Sequence, residues 1–384
     1  RRFPACADRD AEGRAIGLAS GEKTARSFPR ALPHACAIGE LDLPAGGLTG
    51  ALLSLKLRSR RQRLLLRAFR HRRQLTLLAD RTAGITPGDV LCFLCIRNEA
   101  QRLPHFLRHH RALGVRHFLV VDNASTDGSD RLLDDQPDVS LWRTAASYKA
   151  SRFGMDWLTW LQMRHGHGHW CLTLDADELL VYPNWQTRPL PALTNWLEGQ
   201  GRDTFGALTL DMYPEGPVSQ GLVAPGDDPI RHLGWFDAGN YQVQVQPRMR
   251  NLWIQGGARA RAFFAANPRQ APTLNKIPLV RWNRRFAYVN STHSLLPPRL
   301  NEVYATDGGE LTSGVLLHTK FLPGITDRSA EEKQRGEHFG EAAQYAAYYD
   351  RLTADPVLHC DASTRYTGWR QLEALGLMSR GGWI

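Results

Sequence analysis

Between residues 90 and 174, short apolar runs alternate with segments of helical periodicity, and this alternation restricts the fold more than any other feature. Val90 to Ile96 is an uninterrupted apolar run, which is typical of a strand buried on both faces. The strand–helix rhythm predicts an α/β fold with a mainly parallel central sheet flanked by helices. The other predicted strands are His117 to Val121, Val139 to Trp142 and Trp170 to Leu174, and the helices between them include Glu99 to Leu113 and Lys149 to Met163.

Polar side chains follow three of the four predicted strands where each strand ends. In an open α/β sheet, ligands bind outside the carboxyl ends of the strands. One acidic residue in such a place could simply cap a helix, and Asp122 taken alone would do so. Three clusters together predict a site for a nucleotide and a divalent cation. They are Arg97, Asn98 and Glu99 after the first strand, Asp122, Asn123, Ser125 and Asp127 after the second, and Asp175, Asp177 and Glu178 after the fourth.

The most informative of these segments is WCLTLDADELL at residues 170–180. It places two carboxylates, Asp175 and Asp177, two positions apart at the end of an apolar strand, where both can face the same side. Hard cations prefer oxygen ligands and keep waters and substrate phosphates in their shell. The sequence therefore predicts Mn²⁺ or Mg²⁺ beside these two residues.

Six blocks in a fixed order carry a family resemblance over about residues 88–350. They are CIRNEA (Cys95 to Ala100), VVDNASTDGS (Val120 to Ser129), LTLDADELL (Leu172 to Leu180), KIPLVRW (Lys276 to Trp282), STHSLLP (Ser291 to Pro297), and LLHTKF (Leu316 to Phe321) with EEKQRGEHF (Glu331 to Phe339). Together they resemble the family 2 type of glycosyltransferases, in particular the bacterial branch related to the family 92 domains.

The resemblance implies a GT-A fold and a metal-dependent, inverting transfer of a sugar from a nucleotide-diphosphate donor. A UDP-sugar is favoured as donor, and the acceptor would be a saccharide or lipid-linked molecule in bacterial cell-surface or exopolysaccharide synthesis. The resemblance also implies roles for individual residues. Those implied for the nucleotide are Asn98, Glu99, Asp122, Asn123, Arg152, Asp175, Lys276 and Lys320, and those implied for the metal are Asp175, Asp177 and His318.

A carboxylate must also take the proton of the attacking acceptor hydroxyl. The candidates are Asp237, Asp211 and Glu215. Asp237 lies among aromatic residues, where burial could raise the pKa of a carboxylate toward useful values. Its structural alternative is a cap on the turn before Gly239. The residues alone do not rank the three candidates securely.

Two other functional classes compete with this interpretation. A sugar-phosphate nucleotidyltransferase also uses a parallel sheet and a carboxylate-bound metal, but it would need a glycine-rich phosphate loop after the first strand, where this chain has CIRNEA. A non-catalytic membrane-binding or nucleic-acid-binding protein would use the basic segment near the start of the chain.

That basic segment accounts for the whole net charge of +10, because residues 1–88 hold 17 Lys and Arg against 7 Asp and Glu. A basic amphipathic helix is predicted from Leu52 to Leu78. It would either contact an anionic membrane or pack on the main domain with a solvated arginine face. Specific nucleic-acid binding is not expected, since Phe69 is the only aromatic residue between Lys56 and Arg73.

The predicted organisation is an N-terminal extension over residues 1–88, the GT-A domain over 89–350 and a C-terminal tail over 351–384 that packs on the domain or covers it. Cys92 and Cys95 spell C-x-x-C inside an apolar run without a second pair, so buried cysteines are expected rather than a redox or zinc site. Six scattered cysteines and the lack of an apolar run of about 18 residues predict a cytoplasmic protein, with contact at the inner face of the membrane as the alternative.

Overall fold

The computed structural model describes residues 48–305, 310–326 and 342–383. The predicted loops at the start of the chain, with Cys6 and Cys36, and the EEKQRGEHF block at residues 331–339 lie outside the described residues. Among the helices of the described residues, none is both long enough and apolar enough to span a bilayer.

A nine-stranded sheet forms the centre of the described structure. Six of its strands run in one direction, and β1, β6 and β11 run the other way. The predicted α/β class with a mainly parallel central sheet is therefore confirmed. In spatial order the strands are β1 (Thr76–Ala79), β4 (Val139–Arg143), β3 (Val115–Asp122), β2 (Val90–Ile96), β5 (Trp170–Thr173), β11 (Asn275–Arg281), β7 (Thr204–Asp211), β14 (Ser313–His318) and β6 (Glu178–Val181).

Helices cover this sheet, and short strand pairs complete the fold. The helices are α1 (Leu48–His71), α2 (Leu103–Ala112), α3 (Ser129–Asp134), α4 (Met155–His165), α5 (Leu190–Gly199), α6 (Pro229–His232), α7 (Gly257–Phe263), α8 (Ala342–Thr353) and α9 (Trp369–Ala374). The remaining strands are β8 (Trp235–Asp237), β9 (Gln242–Gln246), β10 (Asn251–Gln255), β12 (Ala287–Tyr288), β13 (Leu295–Leu296) and β15 (Ser363–Arg365).

The central strands are buried because apolar side chains alternate to both faces of a sheet that is covered on both sides. In β2, every residue except Cys95 is buried. Burial also raises the pKa of the Cys92 and Cys95 thiols above the ordinary value, so both stay protonated and unreactive. Cys92 is buried as expected, whereas Cys95 is partly exposed.

The basic helix is shorter than predicted. It ends at His71, a single 3₁₀ turn follows at Arg72–Gln74, and Leu77 and Leu78 lie on strand β1 rather than on the helix. β1 pairs antiparallel with β4 at the border of the sheet. Residues 76–79 therefore belong to the central sheet, although they precede the boundary predicted at residue 88.

The described part of the C-terminal segment packs on the main body. β15 pairs antiparallel with β8, Ser379 exchanges hydrogen bonds with Ser313 at the start of β14, and the Trp383 ring lies 5.9 Å from the Tyr182 ring, centroid to centroid.

Two helix boundaries also differ from the prediction. α2 begins at Leu103 rather than Glu99 because residues 99–102 form a turn, and α4 begins at Met155 rather than Lys149. Before α4, Arg152, Phe153 and Gly154 all have positive φ angles, which are incompatible with a right-handed helix. The turn before α4 brings Gly154 against Cys95 at the end of β2.

Helix α2 carries two adjacent histidines that the fold holds neutral. The Nδ1–H of His110 donates to the Phe106 carbonyl at 2.9 Å, and its Nε2 accepts the Leu180 N–H at 3.4 Å. The Nε2–H of His109 donates to the Leu180 carbonyl at 2.8 Å. Burial lowers the pKa of His110 well below its usual value and that of His109 to about 4.

This arrangement predicts a loss of stability in mild acid. Between about pH 6.5 and 4 the unfolded chain binds protons that the folded chain excludes, so the free energy of unfolding decreases as the pH falls. For His109 alone, the free energy of unfolding decreases by about 3 kcal/mol, because each pKa unit between the folded and the unfolded chain corresponds to about 1.4 kcal/mol. Urea unfolding at several pH values should show a shallower pH dependence for His109→Gln and the wild-type dependence for His167→Gln, whose side chain is exposed. Equal pH dependence in His109→Gln and wild type would contradict this account.

Candidate functional site

The carboxyl ends of the six co-directional strands form one edge of the sheet, called here the carboxyl edge. The sheet order brings the ends of β5, β7 and β14 to this edge together with the starts of β11 and β6. His318 at the end of β14 is directly paired with Asp211 of β7 and with Glu178 of β6. The backbone alone therefore gathers polar side chains from five strands.

His318 lies between two carboxylates at this edge. Its Nδ1 is 2.7 Å from Asp211 Oδ1, and its Nε2 is 3.2 Å from Asp177 Oδ2. The other Asp211 oxygen accepts from Arg259 Nε at 2.8 Å. Asp211 thus fixes the orientation of the imidazole ring and leaves Nε2 facing Asp177, as a carboxylate does behind a metal-binding histidine.

Asp177, His318 and Asp211 form a row of charged groups, called here the His318 row, and each group affects the protonation of its neighbours. Burial disfavours the protonated ring of His318, but the charge of Asp177 and the hydrogen bonds to both carboxylates outweigh it and raise the pKa of His318. Burial likewise opposes ionisation of Asp177 and Asp211. His318 in the first case and mainly Arg259 in the second nevertheless hold the pKa of each carboxyl well below its usual range. Both carboxylates are therefore ionised at neutral pH.

A second ion-pair group lies beside the first. Lys276 Nζ is 2.8 Å from Asp175 Oδ2 and 2.6 Å from Glu178 Oε1. The Lys276 and Glu178 side chains are buried, whereas 54% of the Asp175 side chain is exposed. Burial disfavours the ammonium, yet the two carboxylates raise the pKa of Lys276 above its ordinary value. Asp175 is therefore the solvent-facing member of a buried charge group.

The three predicted metal ligands, Asp175, Asp177 and His318, all lie at the carboxyl edge, but they turn to different partners. Asp175 contacts Lys276, and Asp177 contacts His318. Within the described ranges, no three His, Cys, Asp or Glu side chains are placed to hold a metal ion together. The donor set of carboxylate oxygens and an imidazole nitrogen still suits Mn²⁺. A cation would have to replace the proton between His318 and Asp177.

Two loops that follow β2 and β3 are connected by their own polar side chains. Asp122 is fully buried and accepts the Ser125 N–H at 3.0 Å. The Asn98 side-chain oxygen accepts the Thr126 N–H at 2.8 Å, with Asn98 at a φ of 53°. Asp122 therefore caps the turn that follows β3, and it does not cap a helix, because α3 begins only at Ser129, after Gly128. A contact of either residue with a nucleotide stays a prediction.

The other predicted nucleotide contacts also have protein partners. The Asn123 side-chain amide donates to the Thr144 and Ala146 carbonyls, and Glu99 pairs with Arg102 at 2.9 Å. The structure places Arg152 Nη2 2.8 Å from the Tyr288 carbonyl oxygen, and Lys320 Nζ 5.3 Å from the centre of the Tyr348 ring. These contacts position the side chains, and their substrate roles stay predictions.

The three candidate bases have different surroundings. Asp211 belongs to the His318 row. Both oxygens of Asp237 accept from Arg261, at 2.8 and 2.9 Å, and one also accepts from the Tyr213 hydroxyl at 2.5 Å. Glu215 is exposed to solvent. The full set of partners around Asp237 favours a structural role for that residue.

Two members of the site were given no individual role from the sequence. Glu178 was predicted to lie in the acidic cluster after the fourth strand, and in the structure it begins the strand ELLV, of which every residue is buried. Arg259 carries none, since it lies on α7, 48 positions from its partner Asp211.

Comparisons with known proteins do not identify a family. No protein-family model and no curated protein sequence matches the chain. Among solved structures, the mannosyltransferase PcManGT from Pyrobaculum calidifontis, in complex with GDP-Man and Mn²⁺, aligns with 81% of this chain and 82% of its own, at 15% identity and a TM-score of 0.27. Apo UDP-glucose pyrophosphorylase aligns with 68% of this chain and 99% of its own, at 9% identity and a TM-score of 0.26. Similarities at this level do not establish a function.

Proposed function

We propose that the protein is a metal-dependent glycosyltransferase that moves a sugar from a nucleotide-diphosphate donor to a saccharide or lipid-linked acceptor. The observation that supports this most directly is the row Asp177–His318–Asp211 beside the exposed carboxylate of Asp175. It lies at the edge of the sheet where α/β proteins bind ligands. The proposed setting is bacterial surface or exported polysaccharide assembly.

The chemistry of glycosyl transfer explains why these residue types would be useful. Breaking the bond between the anomeric carbon and a nucleoside diphosphate builds negative charge on the departing oxygens. A bound Mn²⁺ or Mg²⁺ would supply Lewis-acid stabilisation of that charge. Asp177 and His318 would hold the cation, and Asp175 would join them by turning its carboxylate away from Lys276. Asp211 would keep the His318 ring oriented toward the cation.

Lys276 would act indirectly in this proposal. Its ammonium forms ion pairs with Asp175 and Glu178. Lys276 would therefore hold the Asp175 carboxylate at the rim of the site rather than bind phosphate itself. Asp211, Asp237 and Glu215 remain the candidates for the base that takes the acceptor proton. Of these, Glu215 is the exposed carboxylate.

Calorimetric binding of UDP-, GDP- and dTDP-sugars, with Mn²⁺ or with EDTA, tests the proposal directly. We expect one nucleotide class to bind with Mn²⁺ and to lose at least about 10-fold in affinity with EDTA, because the metal neutralises phosphate charge. Analysis of the products would distinguish sugar transfer from nucleotidyl transfer. Absence of metal-dependent binding across the whole panel would contradict the proposed function.

A further inference from the structure

Helix α1 has an inward face and an outward face, and the parts of the chain that the structure describes pack against the inward one. Ala68 on the inward face is completely buried. Arg67, at the margin of this face, pairs with Asp156 of α4 at 2.8 Å. Contacts with α4, β12 and β13 hold the helix on the body of the protein.

The outward face exposes large apolar side chains. Leu52 and Leu55 are each 58% exposed, Leu66 is 47% exposed, and Phe69 is 44% exposed even though Arg72 covers one side of its ring. Spacings of three, eleven and three residues keep the four side chains on one side of an α-helix. Single exposed leucines are ordinary, but an aligned set of them on one helix usually marks an interaction surface.

Cations accompany these apolar side chains without any acidic residue. From Leu48 to Ala79 the sequence has nine Lys and Arg residues and no Asp or Glu. Lys56, Arg63 and Arg70, seven positions apart, are exposed and run along one flank of the apolar row. Among the residues that the structure describes, no carboxylate forms an ion pair with these three. Their charge is therefore available to an external anionic partner.

We propose that the outward face of α1 docks on the surface of an anionic lipid bilayer. The leucines would enter the boundary between headgroups and acyl chains, and the flanking cations would lie against the lipid phosphates, two contributions that add together. A nucleic acid would use the cations but not the exposed leucines, and the outward face offers one aromatic ring for base stacking. The inference does not depend on the proposed enzymatic function.

Sedimentation of the whole chain with vesicles tests this docking. We expect binding to vesicles that contain about one third phosphatidylglycerol in phosphatidylcholine, weak binding to phosphatidylcholine alone, and a decrease as salt is added, because salt screens the attraction. The readout needs no nucleotide sugar, so its result is separate from that of the enzymatic tests.

Two sets of variants separate the apolar and the charged contributions. The triple variant Leu52→Ser, Leu55→Ser, Leu66→Ser should lower the partition coefficient between vesicles and solution at least about 10-fold. Its control Leu222→Ser, which changes a leucine that is 99% exposed, should leave the coefficient unchanged.

The charged contribution is tested by the triple variant Lys56→Gln, Arg63→Gln, Arg70→Gln, which should lower the partition coefficient about 100-fold, at roughly fivefold per cation. Its charge-matched control is Arg116→Gln, Arg131→Gln, Arg231→Gln, which changes exposed arginines outside α1.

Thermal melts of all these variants should match the wild type, since each substituted side chain is exposed. Several results would overturn the proposal. One is that the wild type does not bind anionic vesicles, and another is that the wild type and both α1 variants bind them equally. A third is binding to random duplex DNA that requires the three cations but not the leucines. The last is a dimer that the leucine substitutions dissociate, in a protein that does not bind vesicles.

Discussion

Replacing Asp177 with Asn is expected to lower the rate of nucleoside-diphosphate release from the best-bound nucleotide sugar by about 100-fold or more. Asn keeps the shape of the side chain but removes the charge that faces His318 Nε2 at 3.2 Å and that would hold the divalent cation. Losing one charge-stabilising contact to a leaving group costs about this much in other enzymes. Initial rates with saturating Mn²⁺ would measure the loss.

The matched control for this substitution is Asp203→Asn. Asp203 precedes β7 at the opposite edge of the sheet, and its ion pair with Arg299, at 3.1 Å, is partly exposed. Activity of Asp203→Asn should remain within about twofold of the wild type, since exposed pairs contribute little. An Asp177→Asn protein that melts like the wild type and keeps more than half of its activity would rule out the assigned role.

Replacing Lys276 with Met is expected to cost about 3 kcal/mol or more in the free energy of unfolding. The substitution leaves the buried carboxylate of Glu178, whose side chain is 1% exposed, without its cation at 2.6 Å. Removing one partner of a buried ion pair leaves an uncompensated charge, which is far more costly than the pair itself was stabilising. Burial already raises the pKa of Glu178, and Lys276 counteracts that rise.

Urea unfolding provides the measurement, and the same strand provides the control. Arg281→Met removes an exposed pair with Glu198, at 3.5 Å, from the other end of β11 and should cost less than about 1 kcal/mol. Adding Glu178→Gln to Lys276→Met should restore part of the lost stability, because it removes the unpaired charge. A Lys276→Met protein within about 1 kcal/mol of the wild type would show that Glu178 finds another partner.

These two experiments examine different properties of the same edge. Asp177 is predicted to act on the substrate. Its replacement should destabilise the fold less than that of Lys276, because the ring of His318 can lose its proton, whereas Lys276 is predicted to hold the scaffold around Asp175. If Asp177→Asn destabilises the fold as strongly as Lys276→Met, the His318 row is structural. A loss of activity without a loss of stability would instead support the proposed catalytic role.

Local sequence determined the strands and their polar ends. Val90 to Ile96 is a strand over its predicted length, because its apolar, β-branched and aromatic residues suit a strand buried on both faces. The positions of Asp122 at the last residue of β3 and of Asp175 and Asp177 after β5 follow from the same local pattern. So does α1, although its last predicted residues joined the sheet as β1.

Only the tertiary structure decided which of these side chains meet. His318 and Asp211 are 107 positions apart, and Lys276 and Asp175 are 101 apart. Each pair forms because β11 enters antiparallel between β5 and β7, and because β14 lies next to β7. Periodicity depends on neighbours along the chain, whereas the order and direction of strands depend on how the whole core packs. The residue types at the carboxyl edge could therefore be predicted from the sequence, but the pairs that they form could not.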